Sequence, residues 1–417
     1  VSSAGLVPGD HVYLKGGQAH AGALVFKSTN PTPARPIVVT SYGGERAAIV
    51  AHREGGILLW NTGGFVISEL EIVGPGYPRN CADGICLFTD HRDDRMLESI
   101  RIEDVEVRGF GRSGISVGSK GASGFRGVSL RRVLAHHNAY AGIFVWGDRL
   151  VYAHQDISIT ECVTHSNQGI PGLVHHSGHG IHSGHGILLT SVEQGLIEAC
   201  RAYDNGALNV ANICGPAGIW ASNSRNIVIR RNESFRNRTA SAADGGGFGF
   251  DGGMVDSVME DNFSHDNDGP GVLLATYSGA RPFRNNRITR NLSENDARRN
   301  DHGALHLWSI EPEVLVDVLI EHNTVRVERS PEGRPRALVI DGCTENLRII
   351  GNRFHCQGVS QVVEAGHDQR NLIWRDNDLS PENGTVLWRG RHFESVTRWL
   401  ESIPYGSSRG IVSDRGE

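Results

Sequence analysis

From Gly56 onward the chain repeats one local pattern. A small residue, almost always glycine, precedes an apolar–x–apolar triplet, and the triplets begin at Ile57, Ile85, Ile115, Ile143, Ile187, Ile219, Phe248, Val272, Leu305 and Leu338. Alternation of this kind is the two-residue period of a half-buried strand. Each period carries a second alternating stretch, seen as Ile227/Ile229, Val318/Ile320 and Leu347/Ile349, and then an asparagine. In three successive periods the asparagines pair as Asn232/Asn237, Asn262/Asn267 and Asn286/Asn291. Recurrence at a period of about 24–33 residues, without helical spacing, predicts a solenoid of short strands.

Two departures from the period carry their own predictions. The widest gap, Ile143 to Ile187, holds an insertion over roughly residues 169–184 that is expected to project as a loop. It contains a tandem duplication, HSGHGI followed by HSGHGI, and with its flanks it gathers His165, His175, His176, His179, His182 and His185. Near the C-terminus, Phe393, Val396, Trp399, Leu400 and Ile403 fall at helical spacing and stop before Pro404. A short helix capping the last turn is predicted there. Residues 1–50 read as β-structure leading into the coil, 51–380 as the coil, and 381–417 as a strand and helix cap.

Short strands with asparagine at the bends resemble the right-handed parallel β-helix, the fold of pectate lyases, polygalacturonases, chondroitinase-B-like and alginate lyases, and phage tailspikes. The resemblance spans Gly56 to Leu379 and implies an all-β, single-stranded right-handed parallel β-helix with a short C-terminal helix. Inward residues would then form aliphatic ladders, and stacked asparagines would bond one another's amides. Gly178-His179-Gly180 and Gly184-His185-Gly186 are similar to the Gly-His-Gly of polygalacturonases. That family's preceding aspartate triad and following Arg-Ile-Lys have no counterpart here, so none of its catalytic roles transfers.

Composition narrows the partners. The 417 residues carry a net charge of −6 with no basic run, which disfavours nucleic acid. No apolar run approaches the ~18–20 residues of a membrane span. Glycine, at 53 residues, implies frequent tight turns. Seven cysteines without metal-like spacing are expected as buried thiols. The chain begins at Val1 with no signal-like segment, so any targeting peptide is expected to lie outside it. A solenoid that closes its own core is expected as a monomer.

The candidate chemistry centres on the stretch from Asp244 to Leu274, where carboxylates sit among glycines that let another molecule approach the backbone. With the triplets in register, second and fourth residues face outward. The fourth-residue column is then Trp60, Phe88, Gly118, Trp146, Thr190, Ser222, Asp251, Ala275, Trp308, Asp341. Indoles in a row suit the apolar faces of sugar rings. Trp220, Trp308, Trp146 and Trp60, with His306 and Tyr277, are therefore the expected substrate contacts. Asp244, Asp268 and Asp301 each stand four residues before a triplet, and carboxylates stacked in adjacent turns should either raise a pKa or hold a cation such as Ca²⁺. The expected catalytic group is Asp251, with a member of Asp244, Asp268 and Asp301 as second carboxyl and His302 or His185 orienting.

Lysine is confined to Lys15, Lys27 and Lys120, which leaves the acid-rich half without a lysine base. Paired carboxyls fit glycoside hydrolysis of a poly- or oligosaccharide. The alternative is a polysaccharide lyase or C5-epimerase with arginine, histidine or Tyr277 as base and Ca²⁺ at the aspartates; no other cofactor is required. A further alternative, from a different class, is a non-catalytic glycan-binding or adhesin β-helix. A polymeric glycan partner would place the protein in a secreted or periplasmic setting.

Overall fold

The computed structural model describes residues 5–29, 31–148, 152–173, 182–357, 361–366, 369–381 and 384–402. Two compact units divide the chain, residues 1–210 and 211–417. Within each, every period turns once through three principal strands, to which later turns of the second unit add short ones, and like strands of successive turns pair in parallel. In the first unit, the strands that begin each period (Leu24–Lys27, Ile57–Trp60, Ile85–Thr89, Ser113–Ser119, Ala141–Gly147 and His185–Thr190) form a first sheet. In the second unit the corresponding strands are Ala217–Ser222, Gly246–Asp251, Val272–Thr276, Gly303–Ser309, Arg336–Asp341, Gln361–Ala365 and Thr385–Trp388. Second and third sheets follow the same rule. The coil is already under way before residue 50, because His11–Lys15 pairs in register with Ile37–Tyr42.

The register matches the sequence pattern. Ile57 pairs Ile85, Ile85 pairs Ile115, Ile115 pairs Ile143 and Ile143 pairs Ile187 in the first unit. In the second, Ile219, Phe248, Val272, Leu305 and Leu338 follow one another as ladder partners. All ten residues are buried, as are the third residues of the triplets. Burying these ladders is the main favourable term for a coil with almost no helix.

Asparagine ladders hold the bends. Asn138, Asn167 and Asn205 are joined amide to amide in the first unit. In the second, one ladder runs Asn232, Asn262, Asn291, Asn323, Asn352, Asn377, each Nδ2 donating to the next Oδ1 at 2.9–3.0 Å. A second runs Asn237, Asn267, Asp296. The third pair is thus Asn291/Asp296, not Asn286/Asn291. Strand Arg287–Thr289 pairs with Val258–Glu260, which makes Asn291 the equivalent of Asn262. Asn286 instead replaces Ser257, whose amide it accepts.

The helix forms at Val396–Ser402 and buries Val396 and Trp399. Trp399 packs edge-on to Trp374 at 5.0 Å and tilted against Trp388 at 5.1 Å, covering the last turns as a cap. Ile403 and Pro404 lie outside the described residues. None of the seven cysteines is in a disulfide, and Cys162, Cys200 and Cys356 are the buried ones. Among the described residues no helix is long and apolar enough to cross a membrane.

Candidate functional site

In the second unit the outward face of the first sheet and the bends that flank its strands hold seven of the expected residues. Asp251 ends the strand Gly246–Asp251, opposite Ser222, and its Oδ1 accepts the Gly252 amide at 2.8 Å. The two glycines that follow open the space beside it. A Cβ on Gly252 would come within 2.8 Å of the Tyr277 ring, and one on Gly253, at φ 78°, within 2.6 Å of Asn223 Oδ1. Any larger residue would displace Tyr277 or Asn223 from the acid.

The carboxyl of Asp251 keeps partial solvent access while protein surrounds it densely. Burial drives its pKa up to about 7; the Gly252 amide works against the shift and the charge of Asp244 adds to it. Asp244 itself is raised by burial, offset by His302 and by the Gly215 amide, which its Oδ2 accepts at 2.7 Å. Burial lowers His302, and Asp244 partly holds it up. Both members of that pair are thus pressed toward their neutral forms. His306 is held well below its ordinary value by burial, then by His302, whose ring centre is 5.6 Å away, and by Arg336. Neither ring nitrogen of His306 has a hydrogen-bond partner among the described residues, and His302 has only a weak contact with the Ala242 backbone. Burial raises Tyr277 and the charge of Asp251 adds to it, although the ring is 39% exposed.

Trp220 and Trp308 flank this group on the same face. Trp220 pairs with Gly249, and Trp308 with Ala275, one rung from Val272–Thr276 to Gly303–Ser309. At ~4.8 Å per rung, Trp308 stands about 10 Å along the column from Asp251, with the small Ala275 between them.

The other expected residues fall elsewhere. Asp268 Oδ1 is paired to Arg238 at 2.8 Å and its Oδ2 accepts the Thr239 amide at 3.1 Å. Asp301 is exposed and paired to Arg336 at 2.8 Å. Among the described residues the three aspartates form no set close enough to share an ion, so the expected Ca²⁺ site is not assembled. Equal sequence offset did not mean equal geometry: Asp244 sits at φ 46°, and Asp268 and Asp301 do not. His185 is fully buried in the first unit, its Nε2 2.6 Å from His182 Nδ1, out of reach of any groove-bound molecule. Of the other insertion histidines, His175, His176 and His179 lie outside the described residues. Trp60 and Trp146 also belong to the first unit, where Phe88 lies between them at 6.4 and 6.2 Å. Trp146 lies flat across Gly118, where a Cβ would come within 2.4 Å of its ring.

Arg336 was not anticipated. It is 3% exposed and spans Asp301 and Glu364, each at 2.8 Å. Its ladder partner is Gly303, and an arginine in a column of small residues was the available signal.

No curated protein matches the chain. A family described as the right handed beta helix region matches residues 98–293. Among solved structures the chain is similar to the A-module of the Azotobacter vinelandii mannuronan C-5 epimerase AlgE6, with a TM-score of 0.61 and 16% identity over 89% of this chain and 91% of that one. It is also similar to the GH136 lacto-N-biosidase from Eubacterium ramulus, with a TM-score of 0.56 and 16% identity over 81% of this chain. The match spans 60% of the length of that lacto-N-biosidase. At such identities the likeness is one of fold, and together with the three-strand turns and parallel ladders it makes this chain a right-handed parallel β-helix protein.

Proposed function

We propose that the protein is a carbohydrate-active enzyme, a glycoside hydrolase whose site is the outward face around Asp251. The carrying observation is a reachable carboxyl held up to about 7 with a second carboxyl, Asp244, in electrostatic contact. A carboxyl in that range keeps its proton near neutrality and can protonate a leaving glycosidic oxygen. Asp244 would serve as the second, ionised carboxyl that hydrolysis requires, the His302 imidazolium and the Gly215 amide offsetting the burial that raises it. Trp220 and Trp308 offer ring faces to sugars on either side. The two fold relatives named above carry glycan-directed names, in keeping with the broader class. A polymeric glycan substrate would place this work outside the cytoplasm.

A lyase or epimerase reading is favoured by one observation, the adjacent imidazoles of His302 and His306, which burial presses toward their neutral forms and which could take a proton from a sugar carbon. The raised phenol of Tyr277 counts against it as a base. Wild type and Asp251→Asn should be assayed on a panel of poly- and oligosaccharides for new reducing ends and near-ultraviolet absorbance together. Reducing ends without absorbance, lost in the variant, are expected. Absorbance rising with the ends would sink the hydrolase in favour of β-elimination. Glycan binding without either signal would leave an epimerase or a binding protein, which the proton spectrum of the recovered glycan separates.

A further inference from the structure

A second constellation stands in the first unit, on its third sheet. Strands Glu106–Arg108, Leu134–His136, Val163–His165 and Arg201–Tyr203 stack in register, so Arg108, His136, His165 and Tyr203 share one column. His136 stacks on His165 with ring centres 4.7 Å apart and planes 9° apart, and His165 on Tyr203 at 4.9 Å and 7°. Stacking alone would be a cross-strand ladder and nothing more.

His137 breaks that reading. It occupies the bend after its strand at φ 55°, where the next two turns carry Ser166 and Asp204. Its ring turns back at 78° to His136 and 82° to His165, bringing its Nδ1 to 2.6 Å from His136 Nδ1. One nitrogen from each of the three rings lies within 4.8 Å of the others. Around tetrahedral zinc, ligand nitrogens ~2.1 Å from the ion are about 3.4 Å apart. Small ring rotations, opening the His136–His137 contact and closing on His165, would put all three on one centre.

The surroundings fit the same purpose. His136 Nε2 lies 3.1 Å from Glu106 Oε1, and Arg108 Nε holds the same oxygen at 3.1 Å. A carboxylate on the far nitrogen fixes the tautomer and turns the Nδ1 lone pair toward the other rings, as it does for metal-bound histidines generally. His137 is exposed and the other two are partly so, which leaves a path from solvent.

We propose that His136, His137 and His165 bind a divalent transition metal, zinc first, with Glu106 orienting His136 and a fourth position open to water or a ligand oxygen. Imidazole selects Zn²⁺, Ni²⁺ and Cu²⁺ over Ca²⁺ and Mg²⁺. The test is zinc titration of the metal-stripped full chain by calorimetry, with cobalt as a spectroscopic probe. One equivalent should bind, and cobalt should give the visible bands of a four- or five-coordinate site. His165→Ala should lose both signals, and Glu106→Gln should weaken binding roughly 10–100-fold. His176→Ala/His179→Ala, in the insertion, should bind as wild type. Should His165→Ala fail to fold, His137→Ala, at an exposed bend, replaces it. Absence of zinc binding, wild-type binding by His137→Ala and His165→Ala, or loss confined to the insertion variant would each overturn the site.

Discussion

Replacing Asp296 by asparagine should stabilise the protein at neutral pH. Asp296 ends the ladder Asn237, Asn267, Asp296 and is fully buried. Its Oδ1 accepts from the Asn267 side chain at 2.7 Å and its Oδ2 from Ser293 Oγ at 2.6 Å. Burial nevertheless outweighs these bonds and lifts its pKa from an ordinary 3.8 to about 6. A carboxyl raised on folding contributes stability below its unfolded value and loses it as pH climbs through the folded one. The loss here falls between pH 3.8 and about 6. At about 1.4 kcal/mol per pH unit it comes to about 3 kcal/mol. Asparagine fits the position, since Asn237 and Asn267 already donate to Ser234 and Ser264 from the same three-residue offset. Urea denaturation of both proteins from pH 4 to pH 8 isolates the term, because Asp251 and Asp244 titrate alike in each. The stability difference should grow by about 3 kcal/mol in favour of Asp296→Asn, most of it by pH 7. A difference constant with pH, or one that grows toward wild type, would refute the reasoning.

Three further outcomes follow from the same geometry. If Asp251 is the proton donor, Asp251→Asn should lower kcat roughly 10²–10⁴-fold, and wild-type kcat/KM should fall as pH rises through about 7; a pH–rate profile flat across that range would remove it from the role. Trp308→Ala should raise KM about 3–10-fold with kcat little changed, the value of losing roughly 1 kcal/mol of ring stacking, measured by steady-state kinetics on the best substrate. Asn262→Ala removes the Asn262 acceptor from the Asn232 amide and side chain and one of the two donors, the side-chain one, from Asn291 Oδ1, whose bond from the residue 262 backbone amide remains. Losing these buried ladder bonds should cost about 2–4 kcal/mol in a denaturation experiment, and a cost under about 1 kcal/mol would mean the ladder does not bind the turns together.

The first sheet could be read in the sequence because one rule, a small residue and then inward–outward alternation, sets every rung independently of its neighbours. Ile57 through Leu338 therefore land in register even where period length varies. The same rule, carried two residues back, would have placed His185 inward: it pairs with buried Ala141, as Arg336 pairs with buried Gly303. Proximity to the strand suggested a groove contact; parity forbade it. Four residues back, alternation no longer applies, because the backbone bends in between. Asp244 and Gly245 at φ 46° and 82° turn one way, and the segments holding Asp268 and Asp301 another. Carboxylates that align in sequence are sent to three different partners, and only Asp244 is left beside Asp251.

Small residues in this coil serve packing and chemistry at once. Gly218 and Gly247 lie where a Cβ would strike Ser234 Oγ at 2.0 Å and Ser264 Oγ at 2.2 Å, so they are required by the ladders. Gly252 and Gly253, one step past the strand, are required instead by Tyr277 and Asn223. A bulky side chain at the first pair would break the coil; at the second it would spare the ladders and disorder the surroundings of Asp251. Gly252→Ala should therefore lower activity with little change in melting temperature, whereas Gly247→Ala should lower both. Equal stability losses in the two variants would mean that Gly252 belongs to the scaffold and that no built site surrounds Asp251.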